Sequence, residues 1–261
     1  MRGTSDEQAR RWLSEQTGLD DEQTLSSLLE YFDEVYAGKR QEESPMPRMD
    51  PKVLEPWLVI HPYLTEIRRI PEDNIVRLKV GYGVIKIRVG PNEFIDSHRI
   101  VIPHFWKGTL VGWQTRRLTK DGTPKYHNSP DLPRDRTIYN YDAKAETAVI
   151  VESPMSVLSK CHLGPHIEAT FGAKVHDKQL RYLAMHKRVI LFMDNDEAGW
   201  KATARLGEYL QDYCPVFVAD NPYAADPADM DEDTYMGILA DSIPYALWEP
   251  PRELEAWESE M

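Results

Sequence analysis

Between residues 147 and 220, three short apolar runs, "TAVIVE", "RVILFMDND" and "PVFVAD", each end in an acid. Stretches with helical spacing separate them: "PMSVLSKCH" and "DKQLRYLAMHK" follow the first run, and a helix from about 197 to 213 follows the second. Apolar runs this short suit strands buried on both faces, and strands alternating with helices define a largely parallel sheet covered on both sides. In such sheets ligands gather beyond the carboxyl ends of the strands. If the three strands are neighbours, Glu152, Asp194, Asp196 and Asp220 fall around one crevice, with Asp226 and Asp229 just beyond.

Residues two apart in extended chain point to the same side. Asp194 and Asp196 could therefore face one ion while Asn195 points away. Asp196 has a plainer reading as the cap of the helix beginning at "EAGW", since aspartate accepts free N–H groups at a helix start. That reading accounts for one carboxylate and not the other. A cluster of four to six carboxylates repels itself unless neutralised, and hard oxygen ligands suit Mg²⁺ or Mn²⁺. Paired ions of this kind make or break phosphodiester bonds.

The first half of the chain has another texture. Two helical stretches, 6–16 and about 24–36, precede a polar, proline-containing linker, so 1–50 reads as a helical segment that packs on the rest. From 51 to 145 short strands dominate. "VRLKVGYGVIKIRVG" alternates apolar and basic residues about a glycine-containing turn, as a hairpin would, and "RIVIPHFWKGTLVGWQTRRL" gives two strands around Lys107-Gly108. Prolines at 124, 130 and 133 make the following stretch a long ordered loop or a set of short pieces. The last segment, 236–261, reads as an acidic tail. Leu254 and Trp257 there could form the apolar face of a partner-binding helix, against the plainer reading of a solvated end.

The formal net charge of −12 is unevenly spread. Residues 99–136 hold 8 Lys/Arg against 3 Asp/Glu, whereas 213–261 hold 1 against 12. A basic centre between acidic ends suits a polyanionic partner. No run approaches the roughly 18 to 20 apolar residues of a membrane span, and the N-terminus lacks the apolar core of a signal peptide. The expectation is a soluble cytoplasmic protein with no membrane partner. Two cysteines cannot build a four-cysteine zinc ribbon. Cys161, His162 and His166 lack a fourth ligand at suitable spacing, so no zinc is expected in this chain.

"VIVESPMSVLS", "ATFGA", "DKQLRYL", "VILFMDNDEAGWKAT" and "DPADM" together resemble the Toprim domain, the module of bacterial-type primases, topoisomerases and some nucleases. Glu152, Asp194 and Asp196 match its glutamate and Asp-x-Asp positions, and Asp226 its later acidic motif, with one extra residue between the acids. "HRIVIPHFWKGTLVGWQTRRL" and "PKYHNSP" resemble the N-terminal part of the catalytic domain of DnaG-type primases, with a phage-like cast. Arg99, Arg116 or Arg117, Lys125, Tyr126 and Asn128 fall on those motifs. The resemblance implies a Toprim-type mostly parallel α/β sheet over 146–235, preceded by a smaller mixed α+β subdomain over 51–145 that binds template and nucleotide.

It further implies primer synthesis on a single-stranded DNA template from ribonucleoside triphosphates with Mg²⁺ or Mn²⁺, two or more ions being expected. Asp194 and Asp196 would hold metal, Asp226 would assist, and Glu152 would be a ligand or the general base. Trp106, Trp113 and Tyr126 offer faces for unpaired bases, although Trp113 in an apolar strand also reads as core. Lys120 and Arg134 read as solvated loop charges.

The sequence departs from the family in two ways. Ser153 and Ser156 stand where the family has glycine and aspartate, which removes one potential ligand. The cysteine-rich zinc module that precedes the family's core is not seen, so a separate zinc-binding primase subunit is expected, or none. With no G-x4-G-K-(S/T) loop, a replicative helicase would act in trans. A Toprim nuclease and a non-catalytic module that binds single-stranded DNA or a helicase are the alternatives.

Overall fold

The computed structural model describes residues 45–222 and 226–250; the predicted helices of the first 44 residues and the Leu254/Trp257 face lie outside it. Two sheets organise these residues. The first is antiparallel, in the order β1 (Gly81–Arg88), β2 (Phe94–Trp106), β3 (Thr109–Arg117), β4 (Tyr126–Asn128). The second contains β5 (Thr147–Val151), β6 (His166–Ala169), β7 (Arg188–Leu191), β8 (Val216–Val218) and β9 (Ile243–Pro244), in the order β6-β5-β7-β8-β9. Its first four strands are parallel and β9 is antiparallel to β8.

The hairpin between β2 and β3 turns on Lys107 and Gly108, with φ of 50° and 82°. Two successive positive φ values make the two-residue turn whose twist matches the flanking strands. The hairpin expected within 76–90 is not formed. Residues 72–77 are a short helix, α1 (Glu72–Arg77), Lys79 reverses the chain at φ 54°, and β1 is a single strand paired with β2. Its glycines serve close approach instead of a turn: a Cβ on Gly81 would lie 1.7 Å from the Trp57 carbonyl oxygen, and one on Gly83 would lie 2.4 Å from the Trp57 ring.

The parallel sheet is covered on both faces, as its apolar strands require. Val149, Val151 and Ile190 belong to one buried cluster with Met155 and Leu158 of α2 (Pro154–Lys160) and Tyr235, Ile238 and Leu239 of α5 (Glu232–Ala240). Ala148, Ile150, Val189 and Leu191 belong to another with Leu180 and Leu183 of α3 (Asp177–Leu183) and Ala202, Leu206 and Leu210 of α4 (Glu197–Leu210). Successive strand residues thus serve opposite layers. The expected α/β sheet and its preceding α+β part are both present.

Two details differ from expectation. Strand β6, "HIEA", carries a histidine and a glutamate and gave no apolar signal. Glu168 is nevertheless fully buried, accepting from the Asp142 N–H at 3.0 Å and paired with His186 at 3.2 Å. Helix α5 crosses residue 235, and β9 extends the sheet to Pro244, so the ordered structure runs well into the supposed tail. Among the described residues no helix is long and apolar enough to cross a membrane.

Candidate active site

Strand β5 delivers Glu152 and the chain after β7 delivers Asp194, side by side as neighbouring strands demand. Glu152 Oε1 accepts the Asp194 backbone N–H at 3.2 Å. Burial raises the Glu152 carboxyl to about 7, and Asp194, Asp196 and Asp226 add to the effect while that N–H opposes it. Burial likewise raises Asp194 to about 6, helped by Asp226 and Asp196 and opposed by Lys125. Asp194 Oδ1 is buried with no hydrogen-bond partner.

Helix α4 begins hard against these acids. Its cap is Asp196, whose Oδ1 accepts the Gly199 N–H at 2.8 Å. A Cβ on Gly199 would lie 1.9 Å from the Asp194 carbonyl oxygen and 3.0 Å from Glu152 Oε1, so only glycine lets the helix start there. Asp194 and Asp196 do not alternate along a strand. Strand β7 ends at Leu191, and the Asp196 N–H donates to the Asp194 carbonyl at 2.9 Å, turning the chain. Asp194 therefore lines the cleft, whereas Asp196 is an exposed cap acting on it through charge. The two acids are therefore delivered by a turn after β7 and not by extended chain.

The cleft has a volume of about 230 Å³. Glu152, Asp194 and Asp226 line it together with Arg68, Arg116, Lys125, Arg134 and Tyr126. Arg116 and Gln114 reach it from the same side of β3, as residues two apart must. Arg116 donates to the Tyr126 hydroxyl at 2.9 Å and lies over the Tyr63 and Tyr126 rings. Asn128 accepts from Gln114 Nε2 at 3.1 Å and so orients that amide. Lys125 sits 5.6 Å from the Tyr126 ring centre.

Several expected contacts fall elsewhere. Arg99 is fully buried and donates to Ser97 Oγ, Thr115 Oγ1, Thr123 Oγ1 and the Pro124 carbonyl. Arg117 leaves β3 on the face away from Arg116 and donates to the Thr123 carbonyl. Both brace the turn that presents Lys125 and Tyr126, and neither lines the cleft. Trp106 is buried against Tyr141 and Tyr182, and Trp113 packs edge-on to Trp57 at 5.1 Å, so neither is an open stacking surface. His162 bonds Asn74 and Glu232, and His166 bonds the Asn140 carbonyl and pairs with Glu168, which engages both rings within the fold.

Sequence reasoning missed Arg68; Arg134 is the exposed loop charge expected, and it also lines the cleft. Arg68 follows a wide helical turn at Tyr63–Ile67 and forms an ion pair with Asp229. A lone arginine in such a stretch carries no signal of its destination. Ser153 caps α2 by accepting the Met155 N–H at 3.1 Å, and the buried Ser156 hydroxyl has no partner.

The donor set fits a divalent cation. Two half-buried carboxyls, raised first by burial and then by the acids around them, one with an orphaned oxygen, would be relieved by a hard positive ion. Among the described residues no three His, Cys, Asp or Glu side chains already form a cage. Mg²⁺ is commonly held by one or two carboxylates and completed by water and substrate phosphates.

Residues 149–234 match the Toprim-like family. The chain is 31% identical over 143 residues to the DNA primase of Staphylococcus aureus strain MRSA252, covering 50% of this chain and 23% of that one. It is 32% identical over 142 residues to that of Geobacillus stearothermophilus, covering 50% and 24%. It thus spans less than a quarter of the length of these relatives. Among solved structures, the DnaG catalytic core superposes with a TM-score of 0.62 at 19% identity, over 75% of this chain and 79% of that one. The zinc-binding and RNA polymerase domains of Aquifex aeolicus primase give 0.59 at 21%, over 69% and 55%.

Residues 149–234 thus carry a Toprim-like domain, and the described residues share the fold of the DnaG catalytic core. Half of the chain is similar in sequence to bacterial DNA primases.

Proposed function

We propose that this chain makes short RNA primers on single-stranded DNA by nucleotidyl transfer, with 51–145 binding template and nucleotide and 146–235 supplying the acids. The observation that carries this reading is the cleft in which Glu152, Asp194 and Asp226 face Arg68, Arg116, Lys125 and Arg134. Carboxylates alone would suit a cation. Opposed to cations in one cleft, they suit a phosphate chain running between the two walls.

In the reaction a 3′-hydroxyl oxygen forms a bond to the α-phosphorus of a ribonucleoside triphosphate. The bond from that phosphorus to the bridging oxygen breaks, and pyrophosphate leaves. Arg116 and Lys125 hold the triphosphate, and Arg116 is itself oriented by Tyr63 and Tyr126. Glu152, with its carboxyl near neutrality, is suited to accept the hydroxyl proton. Mg²⁺ or Mn²⁺ would be held by Asp194 and Asp226, and when bound would neutralise the cluster and polarise the α-phosphate. The number of ions, the single-stranded template, a helicase in trans, a separate zinc-binding subunit and a cytoplasmic place in a bacterium or phage-infected cell belong to this same proposal.

Labelled ribonucleotides and mixed-sequence single-stranded DNA with Mg²⁺ or Mn²⁺ test it, with and without a candidate zinc-binding partner. Short RNA products that vanish in Asp194→Ala are expected. Degradation of the template instead would make the chain a nuclease and overturn the reading.

A further inference from the structure

Phe171 has a left-handed backbone, φ 64°, which costs a bulky residue energy that its surroundings must hold in place. Those surroundings are unusually restrictive. The Thr170 N–H donates to the Val151 carbonyl at 3.1 Å, and the Gly172 N–H to the Glu152 carbonyl at 2.9 Å. The Thr170 hydroxyl donates to the Gly172 carbonyl at 2.9 Å. The fully buried Gln179 amide ties the same turn down, donating to the Thr170 and Thr137 carbonyls, each at 3.0 Å, and accepting the His176 N–H. The strained residue is thus locked to the strand that carries Glu152.

Phe171 is also only partly buried. Its ring meets His104 edge-on at 5.0 Å and Tyr139 at 5.9 Å. With Gly172 and Arg134 it lines both the acid cleft and a second, larger cavity of about 610 Å³. The second cavity carries Lys174 and His176, with Asp135 as its one acid. A Cβ on Gly172 would meet nothing within 4 Å, so the wall beside the ring is open. The ring packs against the core on one side and stands at the junction of two polar cavities on the other, on a strained backbone.

We propose that Phe171 is a stacking residue for the base of the nucleotide at the acids. The adjoining compartment takes the phosphates of the same strand past Arg134, Lys174 and His176. An aromatic face beside a basic groove is how single strands are held without regard to sequence. This rests on the reading that the acid cleft handles nucleic acid.

The test uses a short primer–template with 2-aminopurine at the primer 3′ end, whose fluorescence is quenched by stacking. Phe171→Leu keeps apolar contact with His104 and Tyr139 while removing the ring, and it is expected to bind roughly 10-fold more weakly, within the range of one lost stacked base, and to lose the quench. Phe171→Trp is expected to restore both. Lys174→Ala is expected to lower the salt dependence of binding by about one counterion. Phe171→Leu that binds and quenches like the unaltered chain would overturn the proposal, as would Lys174→Ala with an unchanged salt slope. If the unaltered chain makes no primers yet shows the Phe171-dependent quench, the polymerase reading fails and this one stands.

Discussion

Arg99 and Lys125 lie in the same part of the chain and do opposite work. The Arg99 guanidinium is inside the protein, and its charged form is disfavoured by burial and assisted by Asp121. Replacing it by leucine would take the charged donor away from the buried hydroxyls of Ser97, Thr115 and Thr123, which keep only the bonds they donate to Asp121 and the His127 carbonyl. A hydrogen bond to a charged group contributes about 1.5–3 kcal/mol. Arg99→Leu should therefore lower stability by roughly 2–4 kcal/mol, read by urea unfolding, with little change in the KM for nucleotide of the protein that remains folded. Lys125→Ala should do the reverse: near-normal unfolding, and a KM raised several-fold. If Arg99→Leu shifts KM as strongly as Lys125→Ala, then Arg99 contacts substrate after all. Both residues fit one family pattern in the sequence. Burial separates them, and the pattern carries no information about burial.

At the scale of elements, the parallel sheet was legible because its strands are continuous apolar runs, a pattern that only burial on both faces explains. Strand β6 was not, because its burial depends on Glu168 finding His186 and the Asp142 N–H from distant parts of the chain. The hairpin expected in 76–90 failed because glycine was read as a turn residue where Trp57 needed room. The acids were legible as strand ends, but the turn that delivers Asp194 and Asp196 was not, since β7 stops before them. The cations on the opposite wall arrive from separate loops, so their convergence is a tertiary fact.

Gly199 gives the element-scale prediction. Glycine to alanine inside a helix ordinarily gains about 1 kcal/mol. Here the added methyl would fall 1.9 Å from the Asp194 carbonyl oxygen, so the first turn of α4 must move away from the acids. Gly199→Ala is expected to lower the melting temperature by several degrees, about 1–3 kcal/mol of overpacking, and to cut primer synthesis at least 10-fold, about 1.4 kcal/mol of transition-state stabilisation. A gain in stability with full activity would show that the helix start tolerates displacement.

For the whole molecule, the buried titratable groups set how stability varies with pH. Glu152 and Asp194 are raised to about 7 and about 6, so the folded chain holds protons that the unfolded chain releases. Stability then falls as pH climbs from the ordinary carboxylate range through those values. Burial opposes the charge on His166 and His186, but hydrogen bonds and charge from Glu168 outweigh it and both are raised. Their contribution is complete below the ordinary histidine value and is lost as pH rises through the folded one. His104 works the other way. It is buried and held down to about 3, so its contribution is present above the ordinary histidine value and is lost as pH falls below it.

Thr137 gives its hydroxyl hydrogen to the Pro133 carbonyl at 2.6 Å, so His104 Nε2 must be the donor to Thr137 and Nδ1 is the bare nitrogen. Because the raised groups outnumber His104, the protein without divalent metal should be less stable at about pH 8 than at about pH 6, as read by thermal unfolding. Millimolar Mn²⁺ should raise the melting temperature more at the higher pH, because the ion binds the deprotonated carboxylates. Asp194→Asn should reduce both the pH slope and the Mn²⁺ effect, since it removes one titrating group and one ligand. Metal-free stability that rises steadily between those two pH values would overturn the raised carboxyls, and a Mn²⁺ shift that survives Asp194→Asn unchanged would place the metal elsewhere.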